Sequence, residues 1–271
     1  MTTEINLLAI LSIVFFFGGG LSIALRLFAL PENRTPPRML GITMGFIALA
    51  FQALALYGEL ITPVGLNLSI FNVSALVAWT MVLLLLLSSL TKPVENLGIL
   101  LLPGAGVAMI LAIRFPHLRL LHDSESLGLN LHILISLLAY SLLTLAAVQA
   151  TLLAIQDQHL HNRHPGGFVR ALPPLQTMET LLFEMIGAGF FLLSLALLSG
   201  FLFLENLFAQ HLVHKTLLSI LSWIVFGTLL WGRFRFGWRG RTAITWTLVG
   251  FLMLMLAYFG SKVVLELVLG R

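Results

Sequence analysis

Eight long apolar runs separated by short polar segments organise the sequence: residues 6–28, 39–60, 67–90, 97–114, 129–155, 178–204, 213–232 and 243–265. A helix needs about 20 residues, at ~1.5 Å each, to cross roughly 30 Å of hydrocarbon, so each run predicts one transmembrane helix. Stretches such as MVLLLLLSSL and FFLLSLALLSG are apolar in every direction, whereas a barrel strand would alternate between lipid and lumen. The predicted fold is therefore all-α, a polytopic membrane bundle of about eight helices in a lipid bilayer. Composition agrees: 59% of residues are hydrophobic and 10% charged, with a mean hydropathy of +1.01. That is too little polar material to cover a soluble globule of 271 residues. The flank MTTEIN carries Glu4 and no Lys or Arg, so the first run reads as a retained helix; a signal peptide would open on a basic segment.

Charge placement gives the bundle an orientation. Segments after the first, third, fifth and seventh runs carry Arg26, Arg34, Arg38, Lys92, Arg163, Arg170, Arg233, Arg235, Arg239 and Arg241. The opposite side holds Arg114, Arg119, Lys215, Lys262 and Arg271. This bias puts the first group in the cytoplasm and both termini outside, with RFRFGWRGR as its strongest determinant. The net charge of +4 needs no nucleic acid to account for it, because basic residues beside spans act as topology signals and anchors for anionic lipid. No internal repeat or soluble domain is evident. The polar segment RFPHLRLLHDSESLG suggests a boundary that divides residues 1–128 (four helices) from residues 129–271 (four more).

Cysteine is absent, which excludes disulfides, thiol electron relays and thiolate metal sites. Histidine is the notable chemistry. His132 in LNLHILISLLAY and His214 in LVHKTLLSILSW each open an apolar run on the same predicted side. Each then lies in the first turn of its helix, near the positive dipole end, which favours the neutral ring that iron needs as an axial ligand. Two such rings at similar depth suit one flat porphyrin held between helices. The alternative is a pair of interfacial histidines with their polar edges in water. Trp79 and Trp223 are candidates for an aromatic wall beside such a ligand, and all five Trp residues are candidate packing or interface anchors.

Other polar residues support less. His159, His161 and His164 form an H-x-H-x-x-H string in what reads as an irregular connector; such a string can hold a divalent metal, but a solvated His-rich loop is the simpler reading. His117, His122 and His211 read as loop residues. Glu184 lies inside the sixth run and is expected to face the bundle, near Arg233, since an unpaired carboxylate in lipid is costly. Lys262 and Glu266 are expected to pair one turn apart, and Gly187, Gly189 and Gly200 to permit close helix contacts.

The stretches LNLHILISLLAYSLLTLAAVQATLLAIQ, LPPLQTMETLLFEMIGAGFFLLSLALLSG and GWRGRTAITWTLVGFLMLMLAYFGSK resemble the cytochrome c assembly family, membrane proteins that handle haem at the outer face of energy-transducing membranes. The likeness spans roughly Leu129 to Lys262; the first four helices resemble the family only in hydropathy. HKTLLSILSWIVFGTLLWGR before GWRGR is similar to its small HemX-like or YpjD-type branch. The resemblance implies that His132, ahead of Ala139 and Tyr140, stands where the family has an external haem-ligating histidine. It likewise implies that His214, before Lys215 and Thr216, matches a histidine of the smaller branch. Two departures are plain: ENLFAQHLVHKT lacks the Trp-rich acidic segment of the haem-presenting synthases, and GSKVVLELVLGR has no later external histidine. The expectation is a multi-pass protein of a bacterial inner membrane that holds or relays noncovalent haem b near the outer face. His132 and His214 would be the axial ligands and Tyr140 and Trp223 packing or propionate-side residues, with no bond-making step of its own. A noncatalytic partner subunit of another membrane protein is the second expectation. A secondary transporter, which would show broken helices around a midplane polar site, is the third.

Overall fold

The computed structural model describes residues 2–29, 35–62, 65–67, 69–116, 120–121, 127–161, 172–203 and 213–260. Its helices are α1 (Thr2–Ala24), α2 (Arg38–Leu60), α3 (Ile70–Ser89), α4 (Gly98–Arg114), α5 (Leu127–His161), α6 (Leu175–Phe203), α7 (Val213–Phe236) and α8 (Arg241–Met255). Among the described residues, eight helices are long and apolar enough to cross a membrane, each over one of the expected runs. Wide π-helical turns continue α1 over Leu25–Ala29 and α8 over Leu256–Gly260. The all-α expectation omitted one small feature: Ile61–Thr62, Gly65–Asn67 and Leu120–Leu121 pair as a three-stranded antiparallel ribbon between helix ends.

The chain forms two compact units, residues 1–124 with 166–172 and residues 125–165 with 173–271. In the first, α1 packs on α2 and α4, while α3 packs on α2 and α4, so four helices close a ring. Close approach rests on glycine: a Cβ at Gly19 would stand 3.2 Å from the Gly41 carbonyl oxygen, and one at Gly41 would stand 3.2 Å from that of Gly19. Ala9, Ala55, Leu56, Ala75 and Met109 form a buried cluster with Trp79 packed on it. Polar side chains there bond main-chain carbonyls: Trp79 Nε1 to Leu49 at 2.9 Å and Gln52 Nε2 to Ala75 at 3.2 Å. Arg38 ties the start of α2 to the end of α3 through Ser89 O at 2.6 Å and to Glu95 at 3.1 Å.

The second unit repeats this plan. α5 packs on α6 and α8, and α7 packs on the same two helices, so α5 and α7 stand on the diagonal. Leu143, Met178, Ile186, Phe226 and Leu229 are fully buried in it. Phe191, Phe201, Leu202 and Phe234 are exposed, as expected where the surroundings are lipid and large apolar side chains cost nothing on the surface.

One end of this unit is built by the Arg-rich turn. α7 continues through Phe236, and Gly237, at φ +68°, ends it with its N–H on Arg233 O at 3.1 Å. Trp238 folds back onto Gly232, where any side chain would meet the indole. Gly240, at φ +57°, opens α8 and donates its N–H to Glu179 Oε1 at 2.6 Å. Arg239 lies 3.5 Å from Glu179 and Arg241 lies 3.3 Å from Asp157, so acids on α5 and α6 hold the first turn of α8.

Candidate functional site

The opposite end of the second unit holds His132 and position 214. α5 starts at Leu127, so His132 falls in its second turn and not the first. α6 runs antiparallel and ends at Phe203, which packs against Gly128. This register brings the last turn of α6 onto the His132 ring. Nδ1 lies 3.0 Å from Ser199 Oγ, and the Ser199 hydroxyl donates to Ala196 O at 2.9 Å. The next residue, Gly200, leaves room for the imidazole, since a Cβ there would stand 3.1 Å from His132 Cε1. Ser199 and Gly200 are buried and His132 is half-buried.

Ser199 is the residue that sequence reasoning missed. Gly200 carried a recognisable signal as a small residue at a helix end. Nothing in SLALLSG, however, distinguishes Ser199 from Ser194, which back-bonds to Phe190 O at 2.8 Å and serves α7 instead. Their different partners follow from helical phase: five positions turn the chain by about 500°, which leaves the two hydroxyls roughly 140° apart.

His214 is the second residue of α7, on the helix diagonal to α5. The 204–212 connection joins α6 to α7, so position 214 belongs to the same end of the unit as Ser199. Its side chain lies outside the described residues. Tyr140 is eight residues, or about 12 Å, along α5 from His132. It is buried against Phe251, Tyr258 and Phe259, with ring centroids 5.7–5.9 Å away. Trp223 stacks on Phe190 at 5.5 Å and donates its indole N–H to Ser194 Oγ at 2.8 Å. Both aromatic residues thus serve helix packing in this structure, Tyr140 between α5 and α8 and Trp223 between α7 and α6. Trp79 belongs to the core of the first unit.

Several sequence expectations need correction. His159 and His161 are not in a connector, because α5 runs two turns past its apolar stretch and carries both on exposed helix. Two positions apart on a helix is about 200° of rotation, so the pair points to opposite sides, and among the described residues no cluster of three metal-ligating side chains exists. His159 Nδ1 instead meets Ile155 O at 2.9 Å. Glu184 is exposed and does not face the bundle; Arg233 donates to Trp238 O at 3.2 Å and lies 4.5 Å over the Phe183 ring. The buried acid of α6 is Glu179, 3% exposed, five residues earlier and on another face. A Cβ at Gly187 meets only open space, whereas Gly189 does seat a neighbouring helix, against Leu143. His117, His122, His164, His211, Lys262 and Glu266 lie outside the described residues.

Comparison with known proteins extends these local likenesses over most of the chain. The inner membrane protein YpjD of Escherichia coli is 35% identical over 238 residues, covering 85% of this chain and 88% of that protein. The cytochrome c biogenesis protein CcsA of Gloeobacter violaceus is 28% identical over 87 residues, 31% of this chain and 26% of its own. Protein HemX of Brevibacillus brevis is 23% identical over 131 residues, 48% of each chain. No solved structure matches. The family model described as cytochrome C assembly protein matches residues 40–269, so the likeness takes in α2 to α4 and is not confined to the second half. This multi-pass membrane protein belongs to the cytochrome c assembly family.

Proposed function

We propose that the protein binds haem b noncovalently between the helices of its second unit and holds or relays it near the outer face of a bacterial inner membrane. His132 and His214 would supply the axial nitrogens. The observation that carries this reading is the setting of His132: a half-buried imidazole at the end of the unit where α7 also begins, held through Nδ1 by a buried serine and given room by Gly200. Metal-bound histidines characteristically bond a second group through the nitrogen that does not face the metal, and His132 has that partner. Helices on a diagonal face each other across a four-helix bundle, a normal place for a cofactor held by two side chains.

The absence of cysteine rules out thioether attachment to this chain, so the haem would be exchangeable. When bound, haem supplies the iron; the protein's part is to orient two imidazoles and to shelter the porphyrin from water, without a bond-making step of its own. The test is titration of the purified full-length protein with haemin in lipid nanodiscs. Saturable binding with a sharp Soret band and a low-spin resonance signal supports the reading, and the lack of any saturable component refutes it.

A further inference from the structure

Ser199 has two short contacts but one proton. Its oxygen is 2.9 Å from Ala196 O and 3.0 Å from His132 Nδ1. A carbonyl oxygen only accepts, so the first contact is a hydrogen bond only if the serine proton points to Ala196. The serine oxygen then offers lone pairs to the ring, and the second contact is a hydrogen bond only if Nδ1 carries the imidazole proton. In a neutral ring this leaves Nε2 bare. Burial makes the alternative costly, because with the proton on Nε2 one of the two contacts is lost in a place where Ser199 is 7% exposed.

We infer that Ser199 is a positioning residue: it sets His132 in the Nδ1–H tautomer before any ligand arrives, so that Nε2 is the ring's metal-binding edge. Gly200 completes the device by leaving the imidazole room to lie against α6. Both parts sit on one turn of α6, so a single helix fixes the tautomer and the angle of a ligand carried by another. The purpose of this arrangement rests on the haem reading given above; its existence does not, and it is measurable without haem.

The test uses haem-free full-length protein with ¹⁵N-labelled histidine, and a His132→Asn variant to identify the signals of His132 among the eight histidines. The expected result is a protonated Nδ1 and a bare Nε2 at His132 in the unaltered protein. Ser199→Ala should mix or reverse the tautomer, and Ser199→Thr, which keeps the hydroxyl, should restore it. Haemin affinity should fall about 10–100-fold in Ser199→Ala, the usual cost of removing such an outer partner, and recover in Ser199→Thr. Protonated Nε2 in the unaltered protein, or the same tautomer in Ser199→Ala, would overturn the inference. If the tautomer behaves as stated while His132→Ala binds haemin like the unaltered protein, the role of Ser199 stands and the haem-ligand reading falls.

Discussion

Two glycines of α6 give opposite expectations at the scale of single residues. Gly200 abuts the His132 ring and Gly187 abuts nothing. Gly200→Ala should therefore displace the imidazole and weaken haemin binding, while Gly187→Ala should leave binding unchanged and add up to about 1 kcal/mol of helix stability. Paired haemin titrations and thermal unfolding of the two variants check this; equal effects would remove the steric argument. Glu179 allows a second contrast. Removing its carboxylate strands the Gly240 N–H inside the unit, so Glu179→Ala should cost about 1.5–3 kcal/mol, the range for a hydrogen bond to a charged group. Glu179→Gln keeps an acceptor and should cost less. At this scale the sequence was only partly readable. His132 stood out because histidine is rare in apolar runs, whereas Glu179 and Glu184 lie five residues apart in one run and their faces depend on packing that no local pattern records.

The membrane elements were the most legible, since a run of some 20 apolar residues has few other uses. Their ends were not. α5 exceeds the expected span by six residues at its Arg-rich end because IQDQHLH has no apolar pattern yet contains good helix formers, and Asp157 is fastened to Arg241 across to α8. The same limit turned His159 and His161, expected in a His-rich loop, into residues on opposite sides of a helix. α3 begins later than hydropathy suggests because Ser69 caps it, accepting from the Asn72 N–H at 3.4 Å. The short strands escaped notice because pairs of two or three residues leave no alternation to detect.

At the scale of the whole molecule, the order of helices fixes which ends lie together within each unit, and the basic residues bear on which end faces the cytoplasm. The Arg-rich turn between α7 and α8, with exposed Trp231, Phe234 and Phe236 around its arginines, has the make-up of a cytoplasmic interfacial anchor. A reporter active only after export should therefore work when fused after Arg271, and one active only in the cytoplasm should not. The reverse result would bring His132 and His214 to the inner face. Family membership was legible from three stretches of the second half, yet the family match also includes α2 to α4, where the sequence reading had only hydropathy to go on. The central claim is that one haem is held between His132 and His214, and it is tested most directly by optical and resonance spectra of haemin-loaded protein with each histidine replaced in turn by alanine. The account predicts a six-coordinate low-spin haem in the unaltered protein and conversion toward high spin, with weaker binding, in both His132→Ala and His214→Ala. An unchanged low-spin spectrum and affinity in either variant would contradict it.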